Sequence, residues 1–265
     1  MSRKVLTAVL GATALLAPIT AVAGPASAEP KPAKPAYQEY VALGDSWSAD
    51  VVLLDRDGLP DDTYAPIDCA QSHRNYPKLV AKKLGVKRFR DATCGSATTD
   101  DFTKPQTGLP LGGTNPPQFD RLTKRTDLVT VGIGGNDAEV ASGAMSCISV
   151  LPISIPLPAL QLPAGVPLFS ELAPWGGCKE RFTAGGVDQL AVNINNSEIK
   201  VVRALRQIHR RSPRARVLLV NYLDAIPAKG CWPGVPITNT DMAYLHDTFV
   251  KLNAMLARAA RRGDA

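Results

Sequence analysis

Three short apolar runs in this chain each pass without a break into a loop of small polar residues. Tyr40-Val-Ala-Leu43 leads into Gly44-Asp-Ser46, and Val86 to Ala92 ends in Thr93-Cys-Gly-Ser-Ala-Thr-Thr99. Asp127-Leu-Val-Thr-Val-Gly-Ile133 runs straight into Gly134-Gly-Asn-Asp137. Runs of this length with β-branched and aromatic members read as strands, and Gly with Asp allows a sharp exit. Val86 to Ala92 is the weakest in pattern and is predicted nearer a sheet edge. A fourth run, Arg214 to Tyr222, contains Val217-Leu-Leu-Val220, the continuous pattern of a strand covered on both faces.

Helical spacing fills the intervals. Tyr76 to Leu84 places Leu79, Val80 and Leu84 on one side and stops at Gly85. Leu190, Ile194, Val201, Leu205 and Ile208 form one stripe. Met242, Leu245, Phe249, Leu252 and Leu256 form another, after Thr238-Asn-Thr240 as candidate caps. Strands alternating with helices predict a three-layer α/β/α sandwich on a parallel sheet. In such a sheet the three polar loops share one edge, where open α/β sheets hold their ligands.

The first 28 residues are read apart from this fold. Ser2-Arg-Lys4, an apolar Val5 to Ala23 and Ala26-Ser-Ala28 have the form of an exported protein's signal peptide. Pro18 and the small residues favour that over a membrane anchor, so secretion without stable membrane insertion is expected. Residues 29–38 form a proline-rich lead-in, predicted extended and mobile, and residues 39–265 form one domain. Without Arg3 and Lys4 of the signal-like segment, the net charge of +6 falls by two, which leaves a mild basic excess. Its arginines (Arg203, Arg206, Arg210, Arg211, Arg258, Arg261 and Arg262) lie on helix-like stretches without the aromatic residues of a nucleic-acid groove, so a solvated face is expected instead. A monomer with no nucleic-acid partner is the expectation.

Five cysteines in an exported chain point to disulfides. None forms a C-x-x-C pair and the three histidines are scattered, so neither a metal nor an organic cofactor is expected. Ile148 to Trp175 carries six prolines and excludes both a regular helix and a central strand. It reads either as a packed surface excursion or as an apolar wall or lid near the site.

The loops carry the parts that ester cleavage requires. A serine supplies the nucleophile, and N–H donors from neighbouring loops hold the oxygen that becomes negative when the carbonyl is attacked. Val41-Ala-Leu-Gly-Asp-Ser-Trp-Ser48 and Val131-Gly-Ile-Gly-Gly-Asn-Asp-Ala138 resemble the first and third blocks of the SGNH (GDSL) hydrolases. Cys69 with Tyr76-Pro77, and Cys94 with Thr98-Thr99, resemble the secreted, disulfide-bonded bacterial lipases and esterases of that family. The resemblance runs from about residue 38 to 260. It implies an SGNH/flavodoxin-like fold, a small-molecule or lipid ester as substrate and Ser46 as nucleophile. Asn136 would be the oxyanion side chain, and the backbone N–H of Ser96 would stand where the family has a glycine. Asp45 and Asp137 are read as turn-shapers. The disulfides Cys69–Cys94 and Cys147–Cys178 are predicted, which leaves Cys231 unpaired.

One part of the pattern is missing. The family takes its base from an Asp-x-x-His pair near the C-terminus, and no Asp-x-x-His occurs in these 265 residues. His246 lies within a helical stripe, and His73 and His209 adjoin no motif. The domain is therefore expected to be C-terminally incomplete, without its last strand, and a poor esterase as it stands. The alternatives are a catalytically inactive domain binding lipid or carbohydrate, and a carbohydrate deacetylase using the same residues.

Overall fold

A computed structural model describes residues 36–54, 56, 58–148, 176–231 and 235–265. The signal-like segment, most of the lead-in and nearly all of Ile148 to Trp175 lie outside the described residues.

Four parallel strands form one sheet in the order β2-β1-β3-β4. They are β1 (Glu39–Gly44), β2 (Arg88–Asp91), β3 (Leu128–Gly132) and β4 (Arg216–Leu219). Between them run α1 (Ser46–Ala49), α2 (Tyr76–Leu84), α3 (Val140–Met145), α4 (Cys178–Phe182), α5 (Gln189–Arg211) and, after the last strand, α6 (Asn239–Gly263). The pattern follows from strand alternation. Val41, Leu43, Val129, Val131 and Val217 point to one face, where the stripes of α5 and α6 bury them. Tyr40, Ala42 and Leu128 point to the other, onto Ala81, Val80 and Leu84 of α2. The predicted stripes of α5 and α6 are all buried. Asp188 and Thr238 cap those helices, each side chain accepting a backbone N–H three residues on. Gly85 ends α2 at φ +59°, a left-handed turn that glycine takes without strain.

Three expectations need correction. Leu79 is 54% exposed, because α2 meets the sheet through Pro77, Val80, Ala81 and Leu84 instead. Strand β4 is not covered on both faces. It is the sheet edge; α5 and α6 bury Val217, whereas Leu218, on the α2 side, is 40% exposed because α2 does not extend that far. The end of the lead-in bends and is held: the Gln38 N–H donates to the Asp127 carboxylate at 2.8 Å and Tyr37 packs against the cluster of Tyr40, Ala42, Ala81 and Leu128.

The arginine faces are solvated with local anchors. Arg258 and Arg262 both grip Glu198, at 3.0 and 2.7 Å, joining α5 to α6, and Arg211 lies over the Phe119 ring at 5.1 Å. Among the described residues no helix is long and apolar enough to cross a membrane.

Candidate active site

Register places the loops. Gly44 of β1 lies opposite Gly132 of β3, and the Asp45 N–H donates to the Gly132 carbonyl at 2.9 Å. On the other flank the Cys94 N–H reaches the Gly44 carbonyl at 3.1 Å. The buried Gln118 amide pairs with both the N–H and the carbonyl of Gly44, at 2.8 and 2.9 Å. Gly44 has φ +151°, and a Cβ there would sit 2.5 Å from the Gly132 carbonyl oxygen, so only glycine fits this exit from the strand. Ser46 therefore opens α1 at the end of a central strand, half-buried, with the Asp45 carboxylate accepting the Trp47 N–H at 3.0 Å.

The second loop is pinned from below. The Cys69–Cys94 disulfide is formed, and the Gly95 N–H donates to the Cys69 carbonyl at 3.1 Å. Closing a loop of this size stabilises by roughly 3 kcal/mol in the chain-entropy description. Ser96 is exposed and has φ +61°, a left-handed backbone that suits a glycine. Cys147–Cys178 is also bonded, and Cys231 is free and exposed.

The third loop is tied to the second by side chains. One N–H of the Asn136 amide donates to the Ala97 carbonyl at 2.8 Å. Asp137 accepts the Thr99 hydroxyl at 2.6 Å and its N–H at 3.0 Å, with Lys200 at 3.8 Å. Asp45 and Asp137 thus shape turns. Gly134, at φ +115°, lets β3 turn away directly over Val201, which a Cβ would meet at 3.1 Å.

The structure thus brings the loops of Ser46, Ser96 and Asn136 to one edge. The N–H groups of Ser46 and Ser96 make no hydrogen bond among the described residues, and Asn136 keeps a second amide hydrogen. Trp47, 40% exposed, stands beside them. On one side of it is an open cleft of about 190 Å³ lined by Ser46, Asp50 and Val51. On the other is a slot of about 10 Å³ reaching Asn136, Val140, Phe249 and Leu252.

No histidine lines either space. The ring of His73 bonds the Leu59 carbonyl, that of His209 the Asp264 carbonyl, and Nδ1 of His246 the Ile226 carbonyl at 2.7 Å. Among the described residues no group of three or more His, Cys, Asp or Glu side chains is placed to hold a metal ion.

One site residue escaped the sequence reading. Tyr222, just beyond β4, is buried; its hydroxyl donates to Asp45 Oδ2 and accepts the Gly135 N–H at 2.7 Å. Its place at the end of a fourth parallel strand was the available signal. Burial pushes the Asp45 carboxyl up to about 7, although the Tyr222 hydroxyl and the Trp47 N–H oppose that.

This geometry is that of an α/β fold with a serine loop and two further small polar loops gathered at one sheet edge. Residues 42–265 match the GDSL-like Lipase/Acylhydrolase family, and the chain belongs to that family. It is 33% identical to Lipase 2 of Streptomyces coelicolor over 271 residues, covering 99% of this chain and 79% of that one. It is 28% identical to an esterase of Streptomyces scabiei, covering 92% and 73%. The fold is also that of an extracellular lipase from Streptomyces rimosus, with TM-score 0.58 at 23% identity over 86% of this chain and 77% of that one.

Proposed function

We propose that this chain is a secreted serine hydrolase of carboxylic esters, monomeric and without a cofactor. Ser46 is its nucleophile, and the backbone N–H groups of Ser46 and Ser96 with the Asn136 amide form its oxyanion hole. The observation that carries this is the set of unspent N–H donors from all three loops around Ser46. Donors with no protein partner on three loops at one sheet edge are set for an incoming oxyanion. The apolar faces of Trp47 and Val51 beside Ser46 suit the acyl side of an ester, and the substrate is a small-molecule or lipid ester. With no histidine at the cleft, turnover by these residues is low, because loss of the base from a triad costs roughly ten-thousand-fold or more.

The test is labelling of the full chain with an alkyl fluorophosphonate, mapped by mass spectrometry. Label on Ser46, abolished in Ser46→Ala, supports the reading; an unlabelled wild type overturns it. The absence of a histidine favours one second reading, a domain that binds lipid without cleaving it. Ester binding by an unlabelled protein is its signature.

A further inference from the structure

Tyr222 hydrogen-bonds to two loops at once. Among the described residues no hydrogen bond runs between residues 45–48 and residues 134–137, although both flank the oxyanion cradle. The hydroxyl of Tyr222 spans the gap, giving its proton to Asp45 Oδ2 and taking the Gly135 N–H. Asp45 immediately precedes Ser46, and Gly135 immediately precedes Asn136.

The tyrosine is itself held on every side. Its N–H donates to Asn253 Oδ1 at 3.0 Å, and Asn253 Nδ2 donates back to its carbonyl at 2.9 Å. Trp47 meets its ring edge-on at 5.8 Å. Gly135 supplies the room, since a Cβ there would lie 2.8 Å from the hydroxyl. A phenylalanine would fill the same volume, so packing alone does not call for the oxygen. Its role is to satisfy a buried carboxyl and a buried N–H at once, at a fixed spacing.

We propose that Tyr222 is a positioning residue of the ester-cleaving site, its hydroxyl setting the spacing between the Ser46 turn and the Asn136 loop. This rests on the reading of Ser46 as nucleophile. Oxyanion stabilisation depends on donors placed to fractions of an ångström, so loosening one loop against the other weakens it without removing a donor. The groups facing the Asp45 carboxyl are the Tyr222 hydroxyl, the Trp47 N–H, and the side chains of Asp137 and the buried Tyr76. The hydroxyl opposes the burial that raises Asp45, so its loss moves Asp45 titration further up.

The test compares wild type and Tyr222→Phe, both full-length, in their rate of reaction with an alkyl fluorophosphonate. In that step Ser46 Oγ forms a bond to phosphorus, the P–F bond breaks, fluoride leaves and the Oγ proton passes to solvent. The limiting rate constant is expected to fall about tenfold while the half-saturating probe concentration stays within about twofold. Any inflection of the rate near pH 7 is expected to move upward. A mere packing role moves neither readout. Tyr222→Phe reacting like wild type overturns the positioning role and leaves the nucleophile standing. A wild type that does not react overturns the nucleophile, and the positioning role with it. Should Tyr222→Phe not fold, Asn253→Ala carries the test by freeing the tyrosine backbone: a slower limiting rate with unchanged half-saturation supports the role, and an unchanged rate overturns it.

Discussion

The side-chain amide of Asn136 donates to the carbonyl of Ala97 across 2.8 Å, one residue past Ser96. One amide hydrogen fixes the loop, and the other is the donor proposed for the oxyanion. Asn136→Ala is expected to slow Ser46 phosphonylation about a hundredfold, the usual cost of one lost oxyanion donor. Stability should fall by only about 1 kcal/mol, the worth of the bond to Ala97. Labelling kinetics beside a urea titration of the same sample check both figures. A variant that labels at the wild-type rate would remove Asn136 from the site.

Ser96 stands in a left-handed conformation, φ +61°, on an exposed loop. A side chain pays about 1 kcal/mol there, while glycine pays a comparable amount in lost freedom on folding, so the two partly cancel. Ser96→Gly is expected to change stability by no more than about 0.5 kcal/mol and to label at least as fast, since the backbone N–H is kept. A clear drop in rate would mean that the Ser96 side chain, and not its backbone, serves the site.

Much of this is legible in the sequence itself. Strand β3 and its Gly-Gly-Asn-Asp loop were plain because hydrophobic run, glycine and polar residue follow one another within a few positions. The stripes of α5 and α6 are plain because each repeats over about four turns or more. The limits of β4 were not, because Val217-Leu-Leu-Val220 reads the same in a covered strand and in an edge strand; coverage depends on how far α2 extends. Leu79 misled for a related reason, since a nine-residue helix has too few turns to fix which side faces the sheet. Tyr222 could not be paired from sequence with a residue 177 positions away. Only the shared edge of parallel strands brings them together.

Glu39 anchors the opposite end of β1, with its carboxylate wholly buried. It accepts Arg88 Nε at 2.8 Å, Arg90 Nη1 at 3.0 Å and the Thr126 hydroxyl at 3.0 Å, with a further bond from Thr123. Burial alone would raise its carboxyl, but these donors outweigh burial and hold it at about 2, against an ordinary 4.5. The unfolded chain therefore binds the proton more readily. The contribution is complete above about pH 4.5 and is lost as pH falls towards about 2. Arg88 is half exposed, so the full shift is discounted to about 2 kcal/mol. Glu39→Gln is expected to lose about that much at pH 7 and to show a shallower acid limb in urea midpoints. An acid limb parallel to wild type would exclude Glu39 as its source.

Asp45 works in the opposite sense. Its carboxyl is buried, and that burial lifts it from an ordinary 3.8 to about 7, with Asp137 adding a like-charge push. Here the folded chain holds the proton more tightly than the unfolded one, so stability is greatest below about pH 4 and declines as pH rises towards about 7. A shift of about three pKa units corresponds to roughly 4 kcal/mol at most. Asp45→Asn cannot ionise, yet its side-chain oxygen still accepts the Trp47 N–H that caps α1. The variant lacks this contribution, so its stability relative to wild type should grow with each step from pH 4 to pH 7. Taking the difference between the two proteins at each pH cancels Glu39 and the other titrating groups common to both. Urea midpoints at pH 4, 5, 6, 7 and 8 supply that difference. A constant gap would show that Asp45 is already ionised in the folded protein at pH 4, and that its bond to Tyr222 outweighs burial.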